Sequence, residues 1–245
     1  MQKNIFEILR TKPKLGKIDF FLILIPTVLW LIGVYSRQSV MTLSCITEPG
    51  RCSPENVFHL DRPATELQSH KADRMSFVTQ DLSGYSAFFG PVGWASFLAV
   101  TGRLSPGGAL IAAGTDLTLI FQSIVWNGAA TEAGRLIVQR PRPFVYSNPL
   151  VLGADPANYT SFFSGHTSFT AAAGTAFILS LVRRQAPRLI LILSGSVVSV
   201  LVFLTGLFRV LSGRHFPTDV LFAAIVGTLV AFLIAFLHQN RIKSK

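Results

Sequence analysis

Long apolar runs separated by short polar connections dominate this chain from residue 18 onward. A helix needs about 20 mostly apolar residues to cross a bilayer. The first, fifth and sixth runs are nearly free of charge, and the second and fourth are shorter or rich in small residues. The third carries Asp116 at mid-length and is expected to continue as a helix toward Arg135. The pattern predicts an all-helical, polytopic membrane protein with six transmembrane helices, at about Ile18–Tyr35, Tyr85–Thr101, Gly107–Ala129, Ser168–Val182, Leu189–Leu207 and Val220–Leu237.

The composition supports a membrane protein rather than a soluble one. Half of the 245 residues are hydrophobic and only 14% are charged, whereas a soluble domain carries about 25% charged residues. The net charge of +10 raises the possibility of nucleic-acid binding. That function requires a basic patch on a polar surface, but here the basic residues lie between apolar runs. We therefore expect no nucleic-acid partner, and we interpret residues 1–245 as one membrane-embedded domain.

The distribution of lysine and arginine predicts the orientation in the membrane, because cytoplasmic loops carry an excess of these residues. A cytoplasmic N-terminus places twelve of the 22 basic residues in cytoplasmic segments and predicts that both termini are cytoplasmic. Ser36–Gly84 then forms a long extracytoplasmic loop. The first span is interpreted as an uncleaved signal anchor rather than a cleaved signal peptide, because no small-residue cleavage pattern follows it. A bacterial cytoplasmic (inner) membrane is favoured over a eukaryotic one.

The two cysteines, Cys45 and Cys52, both lie in this predicted outer loop. In an oxidising compartment they can close a small disulfide ring, and the alternative is two unpaired thiols. Their spacing does not indicate a zinc site, because neither a histidine nor a second cysteine pair accompanies them.

Three polar clusters interrupt the apolar background. In the six-span topology the first two flank the connection between the third and fourth spans, and the third lies between the fifth and sixth spans. All three therefore reach the same, outer face of the membrane, which predicts one assembled site. The clusters are Arg135 to Pro143, Ser164-Gly165-His166, and Arg209 to Asp219.

The residue types in these clusters indicate an anion site. Arginine forks match the geometry of phosphate oxygens. Ser164 and Gly165 precede a span, so backbone N–H groups at a helix N-terminus point at a bound anion. Asp219 lies four residues after His215, so a helical segment places both side chains on one face. Two histidines beside bound phosphate favour acid–base or nucleophilic chemistry, and no carboxylate cluster indicates a metal.

The order and spacing of the three clusters resemble the signature of the type 2 phosphatidic acid phosphatase (PAP2) family, which contains membrane lipid phosphatases. The resemblance implies a PAP2-like helical bundle that needs neither a cofactor nor a metal. It implies that His215 attacks phosphorus and forms a phosphohistidine, that Asp219 orients and polarises His215, and that His166 protonates the leaving oxygen. It also implies a set of phosphate-binding residues: Arg135, Arg142, Ser164, Gly165 and Arg209.

The expected function is therefore an integral membrane phosphatase that hydrolyses a lipid phosphate or diphosphate at the extracytoplasmic face. Two alternatives remain open: a lipid phosphotransferase that uses the same residues, and a non-catalytic transporter or binding protein for anionic lipids.

The polar residues outside the proposed site receive structural interpretations. Arg140 and Arg214 are expected to be surface charges or contacts at the outer rim, and Asp116 is expected to bond to a neighbouring helix. The remaining histidines carry no pattern and are expected to be solvated: His59, His70 and His238.

Overall fold

Six long helices form the molecule in a computed structural model, which describes residues 15–48 and 50–243 and the side chains as far as His238. Most of the basic stretch that was predicted to be cytoplasmic, residues 1–14, lies outside the described residues. Short helical turns join the long helices, and the described part of the chain contains no strand, which confirms the all-helical prediction. The long helices are α1 (Lys17–Val40), α2 (His70–Val100), α3 (Pro106–Val138), α4 (Gly165–Arg183), α5 (Arg188–Leu211) and α6 (Pro217–Lys243).

Four of these helices are long and apolar enough to cross a membrane: α1, α3, α5 and α6. Each of the six predicted spans lies in a helix, but six transmembrane helices are not confirmed. Helices α2 and α4 are less apolar because they carry polar side chains into the bundle. In α4 these are Thr167, Ser168 and Thr170, all buried. A helix of this kind is shielded from lipid by its neighbours, so its hydropathy understates its burial.

Helix α4 occupies the centre of the bundle. It packs against α2, α3, α5 and α6, and its run Ala171–Ala173 is almost completely buried. Small side chains allow four helices to approach one helix closely, as at other helix interfaces in membranes. Helix α1 packs on the outside against α3. The N-terminus of α4 therefore lies in the middle of one end of the bundle, surrounded by the ends of the other helices.

The predicted outer loop Ser36–Gly84 is shorter than expected. Its first residues complete α1, and its last fifteen belong to α2, which begins when the Ser69 hydroxyl accepts a hydrogen bond from Ala72 N at 3.2 Å. Small residues recur on the buried side of this first part of α2, at positions 72, 76, 79 and 83, while charged residues lie mostly on the other side. This helical period is hidden in a segment whose overall composition is polar.

Cys45 and Cys52 form a disulfide with a Cα–Cα distance of 5.3 Å, which confirms the predicted bridge. We call it the loop disulfide. Both cysteines are buried against Val145 and Tyr159, and the Tyr159 hydroxyl accepts a hydrogen bond from Cys45 N at 3.0 Å. These contacts, rather than the disulfide itself, attach the α1–α2 connection to the α3–α4 connection.

Two polar residues inside the bundle can be compared with their predictions. Asp116 accepts a hydrogen bond from Arg184 Nε at 2.8 Å, which confirms its structural role between α3 and the end of α4. The prediction for His238 was wrong, because the side chain is buried rather than solvated. Its Nε2 lies 2.6 Å from Asp19 Oδ1, so it joins α6 to α1. His59 and His70 are exposed, as predicted.

Candidate active site

All eight predicted site residues lie at one end of the bundle. Helix ends supply most of them, and the α3–α4 connection supplies Arg142. Two backbone hydrogen bonds fold that connection back on itself, from Arg142 N to Asn158 O and from Ser161 N to Arg140 O. Clusters that are far apart in sequence are thereby brought together. The helix-end residues are Arg135 (α3), Ser164, Gly165 and His166 (α4), Arg209 and His215 (α5 and the turn after it) and Asp219 (α6).

The turn after α5 places His215 over Arg209. Gly213 has a φ of +67°, and a Cβ at this position would lie 2.0 Å from Leu67 O. Glycine is therefore required both by its left-handed conformation and by the close approach. The turn lets His215 N donate to Arg209 O at 3.2 Å, and the His215 side chain becomes buried.

The tautomer of His215 follows from its hydrogen bond. Nδ1 lies 2.6 Å from Ser161 O, and a backbone carbonyl can only accept, so Nδ1 carries the hydrogen. In the neutral ring the lone pair is then on Nε2. Burial, followed by the positive charges of Arg209, Arg142 and Arg135, lowers the pKa of His215 well below its ordinary value. The imidazole is therefore neutral at neutral pH, as a nucleophile must be.

Asp219 does not bond directly to His215, contrary to the expectation that it orients the ring itself. Its Oδ2 accepts from the Ser161 hydroxyl at 2.6 Å and from Phe216 N at 3.0 Å. In the first turn of α6 the carboxylate turns toward free backbone amides, which helix N-termini present. Asp219 thus holds Ser161, and the carbonyl of Ser161 holds His215.

Arg140 was predicted to be a charge at the outer rim, and this prediction was wrong. Its Nη1 donates to Asp219 Oδ1 at 2.6 Å, and its Nη2 donates to Asp61 Oδ2 at 2.8 Å. The guanidinium lies 3.9 Å from the centre of the Phe216 ring. Asp61 also accepts from Thr218 N at 3.0 Å. This network attaches the α1–α2 connection to the start of α6 and fixes Phe216, Thr218 and Asp219, which follow His215.

Arg135 approaches the N-terminus of α4 closely. A Cβ on Gly165 would lie 2.7 Å from Arg135 Nη2, so glycine makes room for the guanidinium. Arg135 Nη1 donates to Glu132 Oε1 at 2.6 Å, and Glu132 also binds Arg37 of α1. The Nε of Arg135 is buried and has no hydrogen-bond partner among the described residues.

Arg209 is held in a similar way from α2. Its Nη1 donates to Asp73 Oδ1 at 2.7 Å, and Arg214 donates to the other oxygen of Asp73 at 3.0 Å. Within the described ranges, Arg209 Nε is also buried without a partner. Arg214 is therefore a half-exposed partner of Asp73 near the rim, which agrees with its prediction.

Arg142 differs from the other two arginines in having no carboxylate partner in the described part of the chain. It donates to Thr160 Oγ1 at 2.9 Å and lies near enough to Arg135 and Arg209 to be repelled by both. Cations brought together in a largely buried site are unfavourable unless an anion compensates for them. The arrangement favours binding of an anion with several oxygen atoms.

His166 lies in the first turn of α4, with its ring edge to face with Phe77 at 4.4 Å. Its Nε2 is buried, and no described group bonds to it. The charges of Arg209 and Arg135 act on it, which places it beside the same cations as His215. The hydroxyl of Ser164 lies 2.9 Å from Thr167 Oγ1 and caps α4, so this serine orients the helix terminus.

Sequence reasoning missed the carboxylates that position the arginines. Glu132 precedes Arg135 by three residues and could have been found from that helical spacing. Asp61 and Asp73 carry no local signal, because they lie in the segment that was interpreted as a neutral outer loop. Ser161 was also missed, since it acts through a backbone carbonyl. The described residues include no group of three or more His, Cys, Asp or Glu side chains that could hold a metal.

Comparison with known proteins agrees with the geometry of this site. The family model described as the PAP2 superfamily matches residues 116–243, just over half of the chain, and this region contains all three polar clusters. No solved structure matches the chain. With its histidines and arginines assembled at one end of a helical bundle, the chain belongs to the PAP2 superfamily.

Proposed function

We propose that this protein is an integral membrane phosphatase that hydrolyses a lipid phosphate or diphosphate monoester through a phosphohistidine on His215. One observation carries the proposal. Arg142 has no carboxylate partner among the described residues and lies near Arg135 and Arg209, whose Nε atoms are buried without partners, and all three cations act on neutral His215. A tetrahedral phosphoryl group supplies the negative oxygens that these donors lack.

In the first step, the lone pair on His215 Nε2 forms a bond to phosphorus while the bond from phosphorus to the lipid oxygen breaks. His166 gives its proton to that oxygen, which releases the lipid alcohol. A bound phosphate offsets the charges of Arg135 and Arg209, so it favours the protonated form of His166 that an acid requires. For a lipid diphosphate the leaving group is the lipid monophosphate.

In the second step, water attacks the phosphohistidine. His166 takes a proton from the water, the water oxygen bonds to phosphorus, and the electrons of the N–P bond return to His215 Nε2. Inorganic phosphate leaves, and both histidines regain their starting protonation states. No metal takes part in this sequence.

The phosphate-binding groups act on the charge that develops during transfer. Arg135, Arg142 and Arg209 bind the equatorial oxygens together with the amide of Gly165, whose helix N-terminus Ser164 caps. Removal of one preorganised donor of this kind costs roughly 3–4 kcal/mol of transition-state stabilisation. Asp219 is a positioning residue in this scheme, because it acts on His215 through Ser161.

The setting of the site supports a lipid substrate. Four of the helices in the described ranges are long and apolar enough to span a membrane, and the site lies at one end of the bundle that they form. The distribution of basic residues supports an extracytoplasmic site in a bacterial cytoplasmic membrane. A substrate whose phosphate lies at the membrane surface reaches such a site without leaving the bilayer.

The test is release of inorganic phosphate from lipid phosphates by the purified protein in detergent, with a metal chelator present. We expect activity in the wild type and in His59→Ala, whose exposed histidine serves as a matched control. His215→Ala and His166→Ala should lose phosphate release. Substantial activity in either variant, or a strict requirement for added metal, would overturn the mechanism.

Two further measurements separate the alternatives. When the reaction with a phosphate-labelled lipid is quenched rapidly, the label should be found on the peptide that contains His215. A phosphotransferase would move the label to an added acceptor lipid instead of to water. A binding protein or transporter would retain most of its function without His215.

A further inference from the structure

A long apolar groove runs along the bundle between α5 and α6, with α4 as its floor. Its volume is about 710 Å³. Small residues such as Gly206 and Ala224 create the space, and the groove is bordered by Phe203 and Leu221, whose side chains are 66% and 65% exposed. Because these borders face outward between two of the most apolar helices, a molecule in the surrounding bilayer can enter the groove sideways.

We infer that this groove binds one hydrocarbon tail of the lipid substrate while the phosphate occupies the site at its end. The inference rests on the proposed function, which it extends from the phosphate to the tail. Three observations support it: a start beside the phosphate site, a length that fits one leaflet, and the greater depth of the walls of a second apolar groove.

The groove begins beside the phosphate site. Its floor includes Thr167, whose hydroxyl lies 2.9 Å from the hydroxyl of Ser164 at the N-terminus of α4. Its walls include Val210 and Pro217, which adjoin the site residue Arg209 and the turn that carries His215. A chain that leaves a phosphate bound at α4 therefore meets apolar surface directly.

The length of the groove fits one leaflet of a bilayer. Along α6 it extends from Pro217 to Thr228, eleven residues, or roughly 16 Å at the helical rise of ~1.5 Å per residue. The hydrocarbon core of a bilayer is about 30 Å thick, so each leaflet contributes about half of that. The groove thus reaches from the level of the phosphate to about the middle of the bilayer, as one lipid tail does.

A second apolar groove, of about 410 Å³, lies between α2 and α3. Gly84 of α2 and Ile124 of α3 line this groove. Gly84 lies eleven residues from the site residue Asp73 on α2, and Ile124 lies eleven residues from Arg135 on α3. That separation is again roughly 16 Å. On α2 and α3 this groove therefore begins about where a tail in the first leaflet ends, although Phe169 of α4, three residues after His166, also lines it. Its smaller volume and deeper walls make it the less suitable of the two grooves.

The test uses Val202, which lines the groove about midway along it. Val202→Trp should obstruct the path of a long tail. Val200→Trp is the matched control, since Val200 lies on the same helix, is 54% exposed and does not line the groove. Activity is measured with a long-chain lipid phosphate and with a short-chain analogue of the same headgroup, whose tail is shorter than the roughly 10 Å from Arg209 to Val202.

We expect Val202→Trp to lower kcat/KM about tenfold or more for the long-chain lipid, because losing contact with two or three methylene groups is sufficient for that change. The short-chain analogue should be hydrolysed normally, which also shows that the variant is folded. Val200→Trp should behave as the wild type with both substrates. Equal activity of the two tryptophan variants on the long-chain lipid would overturn the inference.

A second measurement does not depend on substitution. A lipid phosphate with a photoreactive group halfway along its tail should label peptides of α5 and α6 in the wild type. Labelling confined to α2 and α3, or spread evenly over all exposed helices, would contradict the tail site. Failure of the proposed function is distinguishable, because then neither the long-chain nor the short-chain substrate releases phosphate even in the wild type.

Discussion

The substitution Ser161→Ala tests how Asp219 contributes to catalysis. It removes the hydroxyl that donates to Asp219 Oδ2 at 2.6 Å but retains the backbone carbonyl that accepts from His215 Nδ1. If the carboxylate orients His215 through Ser161, the loss of this one hydrogen bond loosens the imidazole. Ser161 is completely buried, so the change adds no new contact with solvent.

The expected magnitude follows from the remaining contacts of Asp219. A hydrogen bond to a charged group contributes about 1.5–3 kcal/mol. The lower end of this range applies here, because Phe216 N and Arg140 still donate to the Asp219 carboxylate in the variant. A loss of ~1.4 kcal/mol corresponds to about tenfold in rate. The loss should fall on kcat with KM nearly unchanged, since the Ser161 hydroxyl binds no phosphate oxygen in the proposed mechanism.

The assay is steady-state phosphate release by Ser161→Ala, Asp219→Asn and the double variant. Ser147→Ala is the control, because the hydroxyl of that serine donates to a loop carbonyl, Phe144 O, and accepts from the exposed Gln68 side chain, away from Asp219. If Asp219 acts through Ser161, the double variant should be no slower than Asp219→Asn alone. Additive losses, or full kcat in Ser161→Ala together with an inactive Asp219→Asn, would refute the indirect route and restore direct action of Asp219 on His215.

Three further predictions address other parts of the site. Gly165→Ala places a Cβ 2.7 Å from Arg135 Nη2; displacing this flexible side-chain end should lower kcat/KM roughly a hundredfold while the Tm stays unchanged, and a normal kcat/KM would contradict the close approach. Because burial and the nearby arginines lower the pKa of His215 well below 6.5, His215 stays neutral as the pH falls through 6.5. Arg142→Gln should raise that pKa and move the acid limb of a pH profile of kcat/KM to higher pH, and a limb that moves the other way would contradict the assignment. Reduction of the loop disulfide, which joins cysteines seven residues apart, should cost about 2–3 kcal/mol; thermal unfolding in detergent should show a lower Tm with reductant, and an unchanged Tm would show that the bridge is not constraining the loop.

The helices were largely predictable from the sequence because their signals are local. Apolar runs mark α1, α3, α5 and α6, and no partner is needed to interpret them. The start of α2 was missed because residues 70–84 carry charges on their exposed side. Its buried side consists of small residues, which add little to mean hydropathy. Only packing against α4 and α5 reveals that this segment is a helix.

The site was predictable in its reactive groups but not in their supports. Arg135, His166 and His215 were identified by residue type and spacing, and the fold brings them to one end of the bundle. The partners of these groups depend on contacts between distant segments. Asp61 binds Thr218, 157 residues later in the chain, and Asp73 binds Arg209, 136 residues later.

The amino-acid sequence alone thus predicted the helical architecture, the family resemblance, two cysteines able to pair and the candidate residues for phosphoryl transfer. Each of these is encoded by hydrophobic period, residue chemistry or short spacing, which act within one or two turns of the chain. The tertiary structure decided that Ser161 rather than Asp219 holds His215, that Arg140 is an internal clamp, and that α5 and α6 enclose a groove. These features arise where segments distant in sequence meet, and burial there makes each charge depend on partners that no local pattern specifies.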